Sequence, residues 1–258
     1  MTEEPAKEIA AENKKPERSR IRPTHIAIAA ILIIIGALAL FGKAGTPTGM
    51  VLESPAPALT PEQIAEFNNI LAECNQYIAQ RDNNNTIDCL KRADAIKSDL
   101  NVISTLADLY SITGDSVEAV GYYIRATKIS PDNARIRYNY AIALEKANLT
   151  DDALIQYAKA NSTAAMNNRG ILLQKLKRFN ESREEFNQAL ILEPNNTVII
   201  TNSANLLAQM GLKTEAEAGF IKAITLAPND KSIYRNFAQF LYNNGRYAEA
   251  KDALEKSY

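Results

Sequence analysis

The phrase Ala216-x3-Phe220-x2-Ala223-x4-Pro228 returns along this chain at a regular interval, and that recurrence limits the fold more than any other feature. Phe186, Ala189 and Pro194 keep its spacing, with Ser182 in the place of Ala216. Ala119, Tyr123, Ala126 and Pro131 repeat it, and Ala153, Tyr157 and Ala160 repeat it without the proline. A second apolar phrase accompanies the first: Leu106-Ala107-x2-Tyr110, Tyr140-Ala141-x2-Leu144, Gly170-x2-Leu173, Ala204-x2-Leu207 and Phe237-Ala238-x2-Leu241. Pro194 and Pro228 stand 34 residues apart. Paired helical phrases at such a period specify stacked helix–turn–helix units, each burying its apolar face against its neighbours.

The residue types fit that reading. Small residues at the eighth and twentieth positions of a unit (Ala107 with Ala119, Ala204 with Ala216) let two antiparallel helices approach closely. An aromatic at the twenty-fourth (Tyr123, Tyr157, Phe186, Phe220) fills the space beside them, and alanine at the twenty-seventh admits the next unit. Proline near the thirty-second stops the second helix, because it has no amide hydrogen and clashes with the preceding turn. Several positions recurring in register resemble the tetratricopeptide repeat family, over about residues 62 to 258. The resemblance implies an all-α fold, a right-handed α-solenoid of helix–turn–helix repeats. Setting the register from the prolines gives six units, 67–99, 100–133, 134–162, 163–196, 197–230 and 231–258. The third is about five residues short and lacks its proline, which puts an irregularity near Asn161 to Thr163, either a hinge or a tightened turn. The sixth ends within its second helix, where Lys251, Asp252, Glu255 and Lys256 supply the polar outer face that a solenoid end requires.

Ahead of the repeats the composition changes twice. Residues 1–23 are polar and read as a disordered tail, with Lys14, Lys15, Arg18, Arg20 and Arg22 gathered toward its end. Residues 24–42 hold an apolar run, 26 to 41, with no polar face. Nineteen residues make a helix of about 28 Å, close to the thickness of a bilayer core. A single N-terminal transmembrane helix is therefore expected before the solenoid. The basic residues lie before it and only Lys43 lies close behind, so the tail is expected in the cytoplasm and the repeats outside it. A cleaved signal peptide is the alternative, since Gly42-Lys43-Ala44 offers small residues at a cleavage point. Residues 43–61, with four prolines, read as an extended spacer. Thr60, Pro61 and Gln63 then form the signature of a helix start.

Composition argues against most chemistry. The formal net charge is -1, with mixed charges along the helices, so no nucleic-acid partner is expected. The single histidine, His25, lies outside the repeats, which removes histidine-based triads and metal sites from the folded part. The ten glycines form no phosphate-cradling loop. No catalytic residue, metal or cofactor is expected.

What remains is a surface for binding. In this family the first helix of each repeat lines a concave groove, and the sixth position faces into it. In this register that position is Asn139, Asn168, Asn202 and Asn236, with Asn205 and Gln239 further along the same face. A carboxamide both donates and accepts, so such a column can pair with the backbone of an extended peptide without reading its side chains. Arg135, Tyr138, Lys175, Arg235 and Tyr242 fall at other groove positions and make a mildly basic, partly aromatic strip that favours an acidic or mixed-charge ligand. The plain alternative is a solvated surface. Cys74 and Cys89 fall on the two helices of the degenerate first repeat, where, outside the cytoplasm, a disulfide would strengthen poor packing. Two buried thiols acting as small apolar groups are the other reading. The expected function is a non-catalytic, membrane-anchored scaffold that holds a partner protein or extended peptide in the groove, as an accessory subunit of an export or envelope-assembly complex. The alternative is a self-associating assembly subunit that uses its convex face or its ends.

Overall fold

The helical array begins at Thr60, whose side chain accepts from the Gln63 amide while the Gln63 side chain accepts from the Thr60 amide. Pro61, with no amide hydrogen to leave unpaired, occupies the first turn. The computed structural model describes residues 58–257, which belong to one compact unit from Leu59 onward. The expected tail 1–23, the transmembrane helix 24–42 and nearly all of the spacer lie outside the described residues. Within the described residues no helix is long and apolar enough to cross a membrane.

Twelve helices follow in six antiparallel hairpins, and no strand occurs among the described residues. They are α1 (Pro61–Ala79) with α2 (Asn83–Ile96), α3 (Leu100–Thr113) with α4 (Ser116–Ile129), and α5 (Ala134–Lys146) with α6 (Thr150–Ala160). Then come α7 (Thr163–Lys175) with α8 (Phe179–Leu192), α9 (Thr197–Gln209) with α10 (Lys213–Leu226), and α11 (Lys231–Asn243) with α12 (Tyr247–Glu255). The repeated apolar positions are the core: Ala107, Ala119, Ala204, Ala216, Phe186 and Phe220 are completely buried, and Tyr123 and Tyr157 nearly so. One buried group runs from Phe67 to Leu173, and smaller ones continue around Phe186 with Leu206, Ile200 with Ala223, and Phe220 with Phe240. At Gly170 the helices of the fourth hairpin come closest. A Cβ there would lie 2.8 Å from the Phe186 ring, and the Ser182 hydroxyl donates to the Gly170 carbonyl at 2.7 Å.

Every hairpin turn contains one residue with left-handed backbone: Arg81, Gly114, Asn148, Lys177, Gly211 and Gly245. The second helices α4, α8 and α10 stop two residues before Pro131, Pro194 and Pro228. Where the proline is missing, α6 ends instead on Asn161 in the left-handed conformation, and Ser162 at once caps α7 through the Ala165 amide. That resolves the short unit as a tightened turn. Helix α6 has 11 residues where α4 has 14, and residues 161–162 replace a connector as long as 130–133.

Successive first helices pack against each other, α3 on α5, α7 on α9 and α9 on α11, and no two second helices do so to that extent. The array therefore curves with its first helices inside. At the far end Lys251, Asp252, Glu255 and Lys256 are all exposed, a polar terminal face.

Candidate partner-binding face

Each groove residue is held by a first helix, and the structure links most of them to one another. On α5, residues 135, 138, 139 and 142 share one side because 3.6 residues make a turn. Asn139 donates to Asp108 of α3 at 3.0 Å, and Arg135 pairs with the same carboxylate at 3.2 Å. Tyr123 from α4 donates its hydroxyl to Asp108 as well. Burial first, and then that carboxylate, raises the Tyr123 hydroxyl far above the ordinary phenol range. Tyr138 leads to the next set. Its hydroxyl accepts from Asn168 at 3.0 Å, Asn167 donates to Asn168 at 3.3 Å, and Asn202 on α9 donates to Asn167 at 2.9 Å. Further on, Asn205 donates to Asn236 at 3.3 Å and Gln239 to Asn243 at 2.9 Å.

The amides are half-buried, and each link uses one donor or one acceptor. A carboxamide offers two N–H groups and a carbonyl with two lone pairs, so each retains capacity for a ligand. The linked side chains are pre-positioned, which lowers the ordering cost of binding an extended strand. Asn167 was not among the sequence-assigned residues. It stands at the fifth position of its unit, equivalent to Tyr138 and Arg235, and that equivalence is the signal that marks it.

The expected basic strip needs correction. Arg135 is paired with Asp108, and Lys175 with Glu145 at 2.8 Å, so carboxylates of preceding repeats neutralise both cations. Glu145 also accepts from Tyr157, whose hydroxyl is raised above its usual range by burial and by that carboxylate. Arg235 is exposed on α11, and Tyr242 packs edge-on against Tyr247 with ring centroids 5.1 Å apart. The face is thus mainly neutral and amide-rich. At its C-terminal end an open cleft of about 390 Å³ lies between α9 and α11.

Away from the groove, Cys74 on α1 and Cys89 on α2 are joined by a disulfide, with a Cα separation of 5.5 Å. Among the described residues no cluster of histidine, cysteine, aspartate or glutamate is arranged to hold a metal ion.

Family models described as tetratricopeptide repeat match residues 105–162, 163–196 and 232–258. The chain is a tetratricopeptide repeat protein. Among solved structures it is similar to a tetratricopeptide repeat protein from Parabacteroides merdae, 20% identical, with a TM-score of 0.68 over 74% of this chain and 78% of that one. PilW, a widely conserved type IV pilus biogenesis factor, is 18% identical with a TM-score of 0.60, covering 74% of this chain and 90% of its own. YrrB, a tetratricopeptide repeat protein with an unusual peptide-binding site, is 18% identical with a TM-score of 0.51, covering 65% and 90%. At such identities the likeness is one of fold. A search of curated protein sequences finds no match to this tetratricopeptide repeat chain. Proteins built from these repeats act as protein-interaction scaffolds, and the repeat fold is generally non-catalytic.

Proposed function

We propose that this tetratricopeptide repeat protein is a membrane-tethered, non-catalytic scaffold that holds an extended segment of a partner protein along its inner face. The observation that carries the reading is the run of linked, half-buried carboxamides from Asn168 through Asn167 to Asn202, continued by Asn205, Asn236 and Gln239. Such a surface offers alternating donors and acceptors to a backbone, as strand-like recognition demands. The apolar run 26–41 and the basic residues before it support a tether with the repeats outside the cytoplasm. The Cys74–Cys89 bridge is in keeping with an oxidising compartment. A role beside an export or envelope-assembly complex accords with the pilus-biogenesis description of PilW and the peptide-binding description of YrrB.

The test is affinity capture from detergent-solubilised native membranes, comparing the intact chain with an Asn168→Ala, Asn202→Ala, Asn236→Ala variant of unchanged helicity. A defined partner lost in the variant supports the groove. The same partners retained by both would sink it and direct attention to the outer face or to self-association. Recovery of the chain in the soluble fraction after membrane pelleting would remove the tether.

A further inference from the structure

The cleft between α9 and α11 differs in charge from the rest of the inner face. Asn205, Gln209, Asn236, Gln239, Asn243 and Asn244 line it, Ala208 and Phe240 supply apolar wall, and among the described residues no carboxylate takes part. Among the described residues its one charged lining residue is Lys213, the first residue of α10. Lys213 makes no ion pair among the described residues, and neither does Arg235 on α11, whereas Arg135 and Lys175 are neutralised by their neighbours. Helix α10 also starts without a side-chain cap, and Glu215 in its first turn offsets the positive end of its dipole.

The hydrogen-bond inventory narrows the ligand. Asn205 donates to Asn236, Asn236 to the Ser232 carbonyl, Gln239 to Asn243, and Asn244 to the Phe240 carbonyl. Each of these amides therefore keeps a second N–H, and the carbonyls of Asn205, Gln239 and Asn244 accept from no group among the described residues. Donors and acceptors mixed in this way fit peptide units, and one unpaired ammonium fits one negative charge.

We propose that this cleft is the charge-reading subsite of the groove: it takes one aspartate or glutamate side chain of the extended partner segment. The carboxylate meets Lys213, and the flanking backbone pairs with the carboxamides. This rests on the groove reading and adds to it a residue class and a place. The cleft volume lies toward the small end of ligand pockets, consistent with one side chain and its adjoining peptide units.

The full chain is tested by fluorescence polarisation against a library of short peptides, acetylated and amidated so that every carboxylate belongs to a side chain. The expected binders carry Asp or Glu at one shared position. Replacing that residue by its amide lowers affinity, and Lys213→Glu weakens the acidic peptides about tenfold, the scale of one ion pair turned into a like-charge contact. Lys213→Arg retains them, and Asn202→Ala weakens acidic and amide versions alike. Peptides that respond to Asn202→Ala but not to Lys213→Glu would overturn the subsite and leave the groove standing. A requirement for a free C-terminus would overturn the side-chain assignment. Binding of acidic oligosaccharides with no peptide bound would overturn both.

Discussion

Tyr123 reaches across its hairpin to donate a hydrogen bond to Asp108, and that carboxylate also receives Asn139 and Arg135 from the next hairpin. A core aromatic is thereby tied to the floor of the groove. Tyr123 is 1% exposed, so its hydroxyl has no ready access to water. Asp108→Ala strands that hydroxyl and should cost about 2 kcal/mol, whereas Tyr123→Phe leaves Asp108 with its two other donors and should cost about 1 kcal/mol. Urea denaturation of the two variants checks the order. A smaller loss for Asp108→Ala would show that the hydroxyl is satisfied without the carboxylate.

The turns separate by residue type. Lys177 has a φ of 61° and Gly211 has 80°, both left-handed, yet only glycine adopts that region without a Cβ penalty. Lys177→Gly should therefore stabilise the chain by about 0.5–1 kcal/mol, and Gly211→Ala should destabilise it by about 1 kcal/mol. Thermal unfolding curves of the two variants should move in opposite directions. Movement in the same direction would mean that the turns relax to accommodate a side chain.

Much of this architecture was legible because the core is periodic. Ala107, Ala119, Phe220 and their equivalents recur in register, and a helix pair that buries them has few alternatives. The start at Thr60 was equally plain, since a capping box is local chemistry. The groove was legible only in part. Register places Asn139, Asn168, Asn202 and Asn236 on one face, but whether each amide points at a ligand or at a neighbour depends on contacts some 30 residues away in sequence, such as Asn139 with Asp108. The same distance hid the neutralisation of Arg135 and Lys175. The short third unit was visible as a deficit, while its cause, an early left-handed stop at Asn161, depends on backbone conformation.

Tyr140 makes stability depend on alkaline pH. Burial, reinforced by nearby Asp152, pushes its hydroxyl from 10.0 up to about 12. Below pH 10 both folded and unfolded chains hold the proton, and the stabilisation is complete. Between pH 10 and about 12 the unfolded chain loses the proton first, so stability falls as pH rises. The melting temperature of Tyr140→Phe should fall less steeply across that window. Parallel curves would assign the alkaline loss to other groups.

Gly170 sets the spacing of the fourth hairpin. An added methyl would lie 2.8 Å from the Phe186 ring, closer than packed carbon atoms allow, and Phe186 is fully buried with no room to turn. Gly170→Ala should cost about 1–3 kcal/mol. Pairing it with Phe186→Leu, which removes the clashing ring edge, should cost less than the sum of the two single changes. Strict additivity in denaturation would show that the two sites do not share a contact.

The first hairpin gains most from its covalent link. Cys74 occupies the small-residue position filled elsewhere by alanine or glycine, Leu90 replaces the aromatic next to Cys89, and the two cysteines are separated by 15 residues. Closing a loop of that size restrains the unfolded chain by about 3 kcal/mol. In a repeat array stability is local, because each unit contacts only its neighbours. Reduction should therefore raise amide exchange in α1 and α2 strongly, in α3 slightly, and in α9 to α12 not at all. Hydrogen exchange followed segment by segment, with and without reductant, reads this directly. Uniform loss along the chain would mean that the six hairpins unfold as one cooperative body, and unchanged exchange in α1 would mean that packing alone holds the end of the array.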